Sequence, residues 1–250
     1  MTSGKASRDD REAKAAERRA AVAKKESRRR SIIITAVVAV VVLVVVVVYA
    51  LVQKDNNSEG GSSSGSPKAT TGQQNQSILV GSPSATVVVD VYEDFQCPIC
   101  KQFEEQSGPL LKQYLDKQVI KINYRPIAIL DSASSTQYST RALNSAGCVV
   151  DTSLDAFPKY HALLFANQPP ENSAGLPDSK LIDLAKQAGA TNVDTCINDQ
   201  GFKGWTQRVT DQASKDKVTG TPTVLVNGTV VQDWTPTNLK QVIDNASNNP

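Results

Sequence analysis

The chain has 250 residues, with 27 Lys/Arg, 25 Asp/Glu, four Cys and one His. Its net charge of +2 is the sum of unlike parts: residues 1–31 hold eleven Lys/Arg and five Asp/Glu, while residues 53–250 hold sixteen and twenty. Four Cys are too few for a disulfide-scaffold mini-protein, one His excludes His-rich and zincin-type motifs, and no GxGxxG or Walker loop offers a nucleotide foothold.

Residues 1–31 include EAKAAERRAAVAKKESRRR. The composition favours helix, yet almost nothing large and apolar is there to pack. We expect a solvated basic tail that sets topology. Interleaved acids and the lack of aromatics argue against nucleic-acid binding.

Residues 32–52 read IIITAVVAVVVLVVVVVYALV, uncharged and with eleven Val. As a helix, 21 residues at ~1.5 Å each match a hydrocarbon core of ~30 Å. Val is a poor helix former in water, but lipid offers the backbone no other partner. Arg28, Arg29 and Arg30 abut the segment, and only Lys54 and Asp55 follow it closely. Positive charge stays inside, which predicts a cytoplasmic N-terminus and an extracytoplasmic C-terminal region. The run exceeds the apolar core of a cleaved signal peptide. An uncleaved signal anchor is therefore expected.

Residues 53–76 read QKDNNSEGGSSSGSPKATTGQQNQ and hold no large apolar residue. This is a flexible tether with a reach of about 25–30 Å. Residues 77–250 form one globular domain on this reading. The expected organisation is thus a basic tail (1–31), a transmembrane signal anchor (32–52), a Gly/Ser/Asn/Gln linker (53–76) and a folded domain (77–250).

Thr86–Tyr92 is β-branched and apolar and predicts a buried central strand. Cys97-Pro98-Ile99-Cys100 follows, then apolar residues at helical spacing (Phe103, Leu110, Leu111, Tyr114, Leu115), with a kink expected near Gly108-Pro109. The CxxC thus lies where a strand ends and a helix begins. Cys97 at a helix N-terminus is favoured as a thiolate, Pro98 suits the first turn, and Cys100 lies one turn on within disulfide reach. That arrangement performs thiol–disulfide exchange, with Cys97 attacking and Cys100 resolving. A haem attachment fails because residue 101 is Lys, and a zinc site lacks a second ligand pair. Further on, Pro222 heads a strand and Asn227-Gly228 marks a two-residue hairpin turn within 222–231.

VYEDFQCPIC over Val91–Cys100, with Gly220-Thr221-Pro222-Thr223, resembles the DsbA family of thioredoxin-fold disulfide oxidoreductases. More narrowly it is similar to the membrane-tethered Gram-positive members. The resemblance runs from about Ser77 to the C-terminus and includes the segment 157–168. It implies an α/β thioredoxin fold, with a helical insert at about 132–216 and a last helix near Pro236–Ala246. The first strand pair would end with a strand over Val119–Ile129. It implies a cis bond between Thr221 and Pro222 facing the CxxC, with Thr221, Pro222, Pro98 and Ile99 forming the substrate-side loop. It implies cysteine-containing secreted or surface proteins as substrates and a quinone-linked membrane protein as reoxidant. No cofactor beyond the protein's own disulfide is expected, and no metal. No dimerisation segment is evident, so a monomer is expected.

Two departures from that family stand out. The position six before the first Cys, an acid in many members, is Val91, and the neighbouring Asp90 points to the opposite face. Glu93 and Asp94 are the remaining nearby acids. The dipeptide between the cysteines also lacks His, so a milder oxidant than DsbA is expected. If Cys97 pairs with Cys100, the remaining bond is Cys148–Cys196, read as structural rather than as a second relay. It closes a 48-residue loop, for roughly 4 kcal/mol in the chain-entropy description. His161 is expected as a partly buried helix residue, and Trp205 and Trp234 as core or rim. The glycosylation-like triplets at Asn56 and Asn227 are read as chance. The leading function is oxidation of protein cysteines outside the cytoplasm. The alternatives are a tethered reductase or isomerase, as in cytochrome maturation, and a binding or chaperone module with a structural CxxC.

Overall fold

The computed structural model describes residues 65–72 and 76–249. The expected basic tail and membrane anchor lie outside them. Among the described residues no helix is long and apolar enough to cross a membrane.

Six strands form one sheet: β1 (Thr70–Thr71), β2 (Ser77–Gly81), β3 (Val87–Glu93), β4 (Ile120–Pro126), β5 (Thr223–Val226) and β6 (Thr229–Val230). Their order is β1-β2-β4-β3-β5-β6. β3 and β4 run parallel, and every other pair is antiparallel. The β3–β4 crossover is the helix α1 (Pro98–Asp116). Val87, Val89 and Val91 alternate into the main core with Phe103, Leu111, Leu239 and Ile243. Tyr92, one residue out of phase, joins Ile127 and Ala213 in a second cluster. The period of two thus splits β3 between two apolar layers, as expected of a strand covered on both faces. Asp90 is on the opposite face from Val91. There its Oδ1 accepts from Arg125 Nε at 2.7 Å and Asn123 Nδ2 at 3.2 Å.

The helices after β4 are α2 (Tyr138–Thr152), α3 (Phe157–Ala166), α4 (Asp178–Ala188), α5 (Asp194–Asn198) and α6 (Lys203–Lys215). α2 is buried at eleven of its fifteen residues, so it forms the centre of this helical block. The Cys148–Cys196 disulfide ties α2 to α5. After the β5–β6 hairpin, α7 (Pro236–Asn248) closes the fold, its Leu239 and Ile243 fully buried.

Two boundaries differ from the sequence reading. Ordered structure begins before Ser77: Thr70 and Thr71 pair with Ile78 and Ser77, and the Lys68 N–H donates to Asp151 Oδ1 at 2.9 Å. The expected tether over 53–76 therefore ends earlier. β4 stops at Pro126 rather than Ile129: Ile127 N–H donates the last bond of the β3–β4 ladder, to Glu93 O, where β3 itself ends. α1 runs unbroken through Gly108, with Pro109 inside the helix. The hairpin turn matches its signal: Asn227 and Gly228 both have positive φ, 46° and 79°. Asn227 also accepts from Val88 N–H at 2.8 Å and donates its own N–H to Val88 O. That hooks the turn onto the central strand.

Candidate active site

Cys97 is the N-cap of α1 and Pro98 its first residue. Proline tolerates that position because its missing N–H has no partner to lose there. Cys97 N–H donates to Asp94 O at 2.9 Å, and Cys97 O accepts the first helical bond from Lys101. The strand-to-helix joint is therefore tight, and it presents the sulfur beside the free N–H groups of the first turn. The two cysteines are not bridged. Cys97 is 6% exposed and Cys100 fully buried, while Pro98 and Ile99 project into solvent.

The Thr221–Pro222 peptide bond is cis. Thr221 O lies 3.3 Å from Cys97 Sγ, the thiol donating to it. The structure thus places Cys97, Cys100, Pro98, Ile99, Thr221 and Pro222 at one end of the sheet.

Electrostatics separate the two sulfurs. The Cys100 thiol lowers the Cys97 pKa to about 6, helped by the Thr221 side chain and by the backbone N–H groups of Cys100 and Ile99. Burial acts against this shift and does not overcome it. Cys100 is pushed well above the ordinary thiol range, mainly by burial and then by its neighbour Cys97. The pair therefore holds one thiolate and one thiol near neutral pH, with the charge on the less buried sulfur.

The loop before Cys97 rests on groups the sequence reading missed or weighted little. Asp94 is fully buried; its Oδ1 accepts from Gln96 N–H at 2.9 Å and Ser139 Oγ at 2.7 Å, and its Oδ2 from Leu130 N–H at 3.0 Å. Burial raises its pKa to about 6 against those bonds, with the Cys97 charge adding to the rise. Gln168 Nε2 donates to Phe95 O at 3.0 Å and Cys97 O at 2.9 Å. Nothing local in the sequence pairs Ser139 or Gln168 with the CxxC, since both come from the helical insert.

His161 is not partly exposed as expected; it is 3% exposed. Its Nε2 lies 2.5 Å from Glu93 Oε1, and its Nδ1 lies 4.0 Å from Glu104 Oε2. The carboxylates of Glu93 and Glu104 raise its pKa to about 9, although burial pulls the other way. Burial raises Glu104 to about 7. Trp205 is fully buried, as expected of core. Trp234 stacks edge-on against Phe103 at 5.5 Å, and its carbonyl accepts from Ser107 Oγ.

Comparison with known proteins agrees with this geometry. The family described as thioredoxin matches residues 73–245. The solved structure of DsbA from Mycobacterium tuberculosis is similar, with a TM-score of 0.62 and 37% identity. That match covers 68% of this chain and 92% of the other. The disulfide bond formation protein D of Bacillus subtilis is 25% identical over 173 residues, covering 66% of this chain and 75% of that one. The serine/threonine-protein kinase PknE of Mycobacterium tuberculosis is 29% identical over 180 residues, and the chain spans about a third of its length (32%). The strand-end CxxC, the helical insert and these matches agree: the chain belongs to the thioredoxin-fold family of DsbA-like thiol–disulfide oxidoreductases.

Proposed function

We propose that the chain oxidises cysteine pairs in secreted or surface proteins, from a position anchored to the outer face of the cell membrane by residues 32–52. The observation that carries this reading is the asymmetry of the pair, with Cys97 depressed to about 6 and Cys100 raised by burial. In the oxidised form a substrate thiolate attacks Cys97 Sγ, and the Cys97–Cys100 bond breaks. Cys100 leaves as a thiolate and takes up a proton. A second substrate thiolate then attacks the substrate sulfur of the mixed disulfide. Cys97 departs as a stabilised thiolate, a good leaving group. The substrate loses two electrons and the Cys97–Cys100 pair gains them. A quinone-linked membrane protein is the proposed acceptor that restores the disulfide. No cofactor is needed for the exchange itself.

Exposed Ile99, at 48% and within the first turn after Cys97, supports docking of an apolar peptide there. A cavity of about 500 Å³ near the cis bond, lined by Pro222, Thr219, Val230 and Trp234, supports a second contact. The test is the reduction potential of the 97–100 pair, together with oxidative refolding of a reduced substrate. Thioredoxin sits near ~−270 mV and DsbA near ~−120 mV. Reactive thiols near ~7 and ~3.5 accompany those potentials. A Cys97 pKa of about 6 places the expected potential between the two. A value at or below thioredoxin's identifies a reductase instead. Refolding activity that survives Cys97→Ser removes the enzyme reading altogether.

A further inference from the structure

We propose that Glu104 and His161, with Glu93 behind them, form a binding site for one divalent cation of the zinc class. The three side chains come from α1, α3 and the end of β3, so no sequence spacing announces them. Their candidate ligand atoms all lie within 4.8 Å of one another.

The two faces of the imidazole differ. Nε2 is in hydrogen-bond contact with Glu93 Oε1 at 2.5 Å. Nδ1 faces Glu104 Oε2 across 4.0 Å, too far for a hydrogen bond. Two donors that share one zinc ion, each at ~2.0–2.2 Å, are separated by about 3.4 Å at a tetrahedral angle and by up to about 4 Å at wider ones. The Nδ1–Oε2 gap is of that size. Metal entry displaces the Nδ1 proton of His161 while Nε2–H stays on Glu93, and the Nδ1 lone pair so freed is aimed at the gap. This is the carboxylate–histidine arrangement that commonly orients a metal-bound imidazole.

The carboxylates point the same way. Glu93 is fully buried, yet its Oε2 has no hydrogen-bond partner, and neither does Glu104 Oε1. Unsatisfied buried carboxylate oxygens are costly, and a cation supplies what the protein does not. Two carboxylates and a neutral imidazole also balance a divalent charge. Glu104 and His161 line a cavity of about 630 Å³ with Tyr124, Leu115, Pro109 and Ala162. That space gives the ion an entry path and room for water in the open coordination positions. An imidazole–carboxylate set suits zinc and its transition-metal neighbours rather than a thiolate-preferring ion.

The test uses the full chain with the Cys97–Cys100 disulfide formed, so that no thiol competes for metal. Zn²⁺ alone is titrated at pH 7.5, and Co²⁺ serves as the spectroscopic probe. One equivalent is expected to bind at micromolar concentration or tighter. Because His161 is the sole histidine, its ring ¹⁵N resonances report the site in the unaltered protein, and Nδ1 is expected to shift on zinc addition. Bound Co²⁺ should show bands between 500 and 600 nm and no thiolate charge-transfer band. Glu104→Gln, which keeps the shape, should weaken binding at least tenfold, and Glu93→Gln should do so by 10- to 100-fold. The proposal is overturned if the oxidised chain binds no metal at 100 µM. Binding that leaves the His161 resonances unmoved, or equal affinity in Glu104→Gln, overturns it as well.

Discussion

The behaviour of Cys97 follows from where its backbone ends rather than from the identity of Pro98 and Ile99. Its sulfur receives polarity from Cys100, Thr221 and two backbone N–H groups; the strand–helix joint fixes Cys100 and the N–H groups, and the cis-proline loop before β5 fixes Thr221. Thiolate absorbance of the reduced chain should therefore titrate with a midpoint near pH 6; a midpoint of 8 or above removes the activation argument. Asp94 acts against the thiolate, because each charge disfavours the other. Asp94→Asn keeps the shape and removes the charge, so the Cys97 midpoint should fall. The same change turns an amide N–H toward donors that Asp94 now accepts from, either Leu130 N–H or the pair Gln96 N–H and Ser139 Oγ. A stability loss of about 1–3 kcal/mol by urea unfolding is expected. A raised thiol midpoint in that variant contradicts the electrostatic account. Cys97, Cys100 and Pro222 were legible as residues because their chemistry is written in adjacent letters. Asp94 drew little weight, since nothing in the sequence says that three donors converge on it.

Among the elements, β3, α1 and the β5–β6 hairpin were readable from period, proline placement and the Asn-Gly turn. The short β1 was not: Thr70-Thr71 sits among Gly, Ser and Gln, and gains its partner only from the edge of β2. His161 was misjudged for a related reason. The apolar spacing of α3 shows which face is buried, but not that Glu93 and Glu104 from two other elements meet the ring there. Such contacts belong to tertiary structure and leave no mark on local periodicity. The α2–α5 disulfide is the element-scale restraint on the helical block, and Cys148 is 1% exposed. Replacing both partners by Ala should lower the stability of the folded domain by up to about 4 kcal/mol and leave the exchange rate at Cys97 within twofold. Mass spectrometry under graded reduction should show the 97–100 pair opening first. Simultaneous opening of 148–196 assigns that bond a redox role instead.

For the whole molecule, the Cys97 thiolate links the redox state to stability. In the reduced chain its pKa is about 6 when folded, against an unperturbed thiol of ~8.5 when unfolded. Between those values the unfolded state holds a proton that the folded state lacks, so the stability of the reduced fold rises with pH. The contribution is complete above the unfolded value and disappears as pH falls through about 6. The oxidised chain has no such thiolate and no such contribution. The buried Cys100 does not alter this below pH 8.5, because it stays protonated in both states. Stabilising the reduced fold relative to the oxidised one is equivalent to making the disulfide a stronger oxidant. Melting temperatures of the two forms, with Cys148–Cys196 intact in each, should therefore diverge in favour of the reduced form between pH 6 and 8. Below about pH 5 their difference should become constant, at whatever offset the 97–100 crosslink itself sets. A difference that stays flat from pH 5 to 8 would mean that the folded protein does not stabilise the thiolate, and oxidation of substrate cysteines would then lack its driving force.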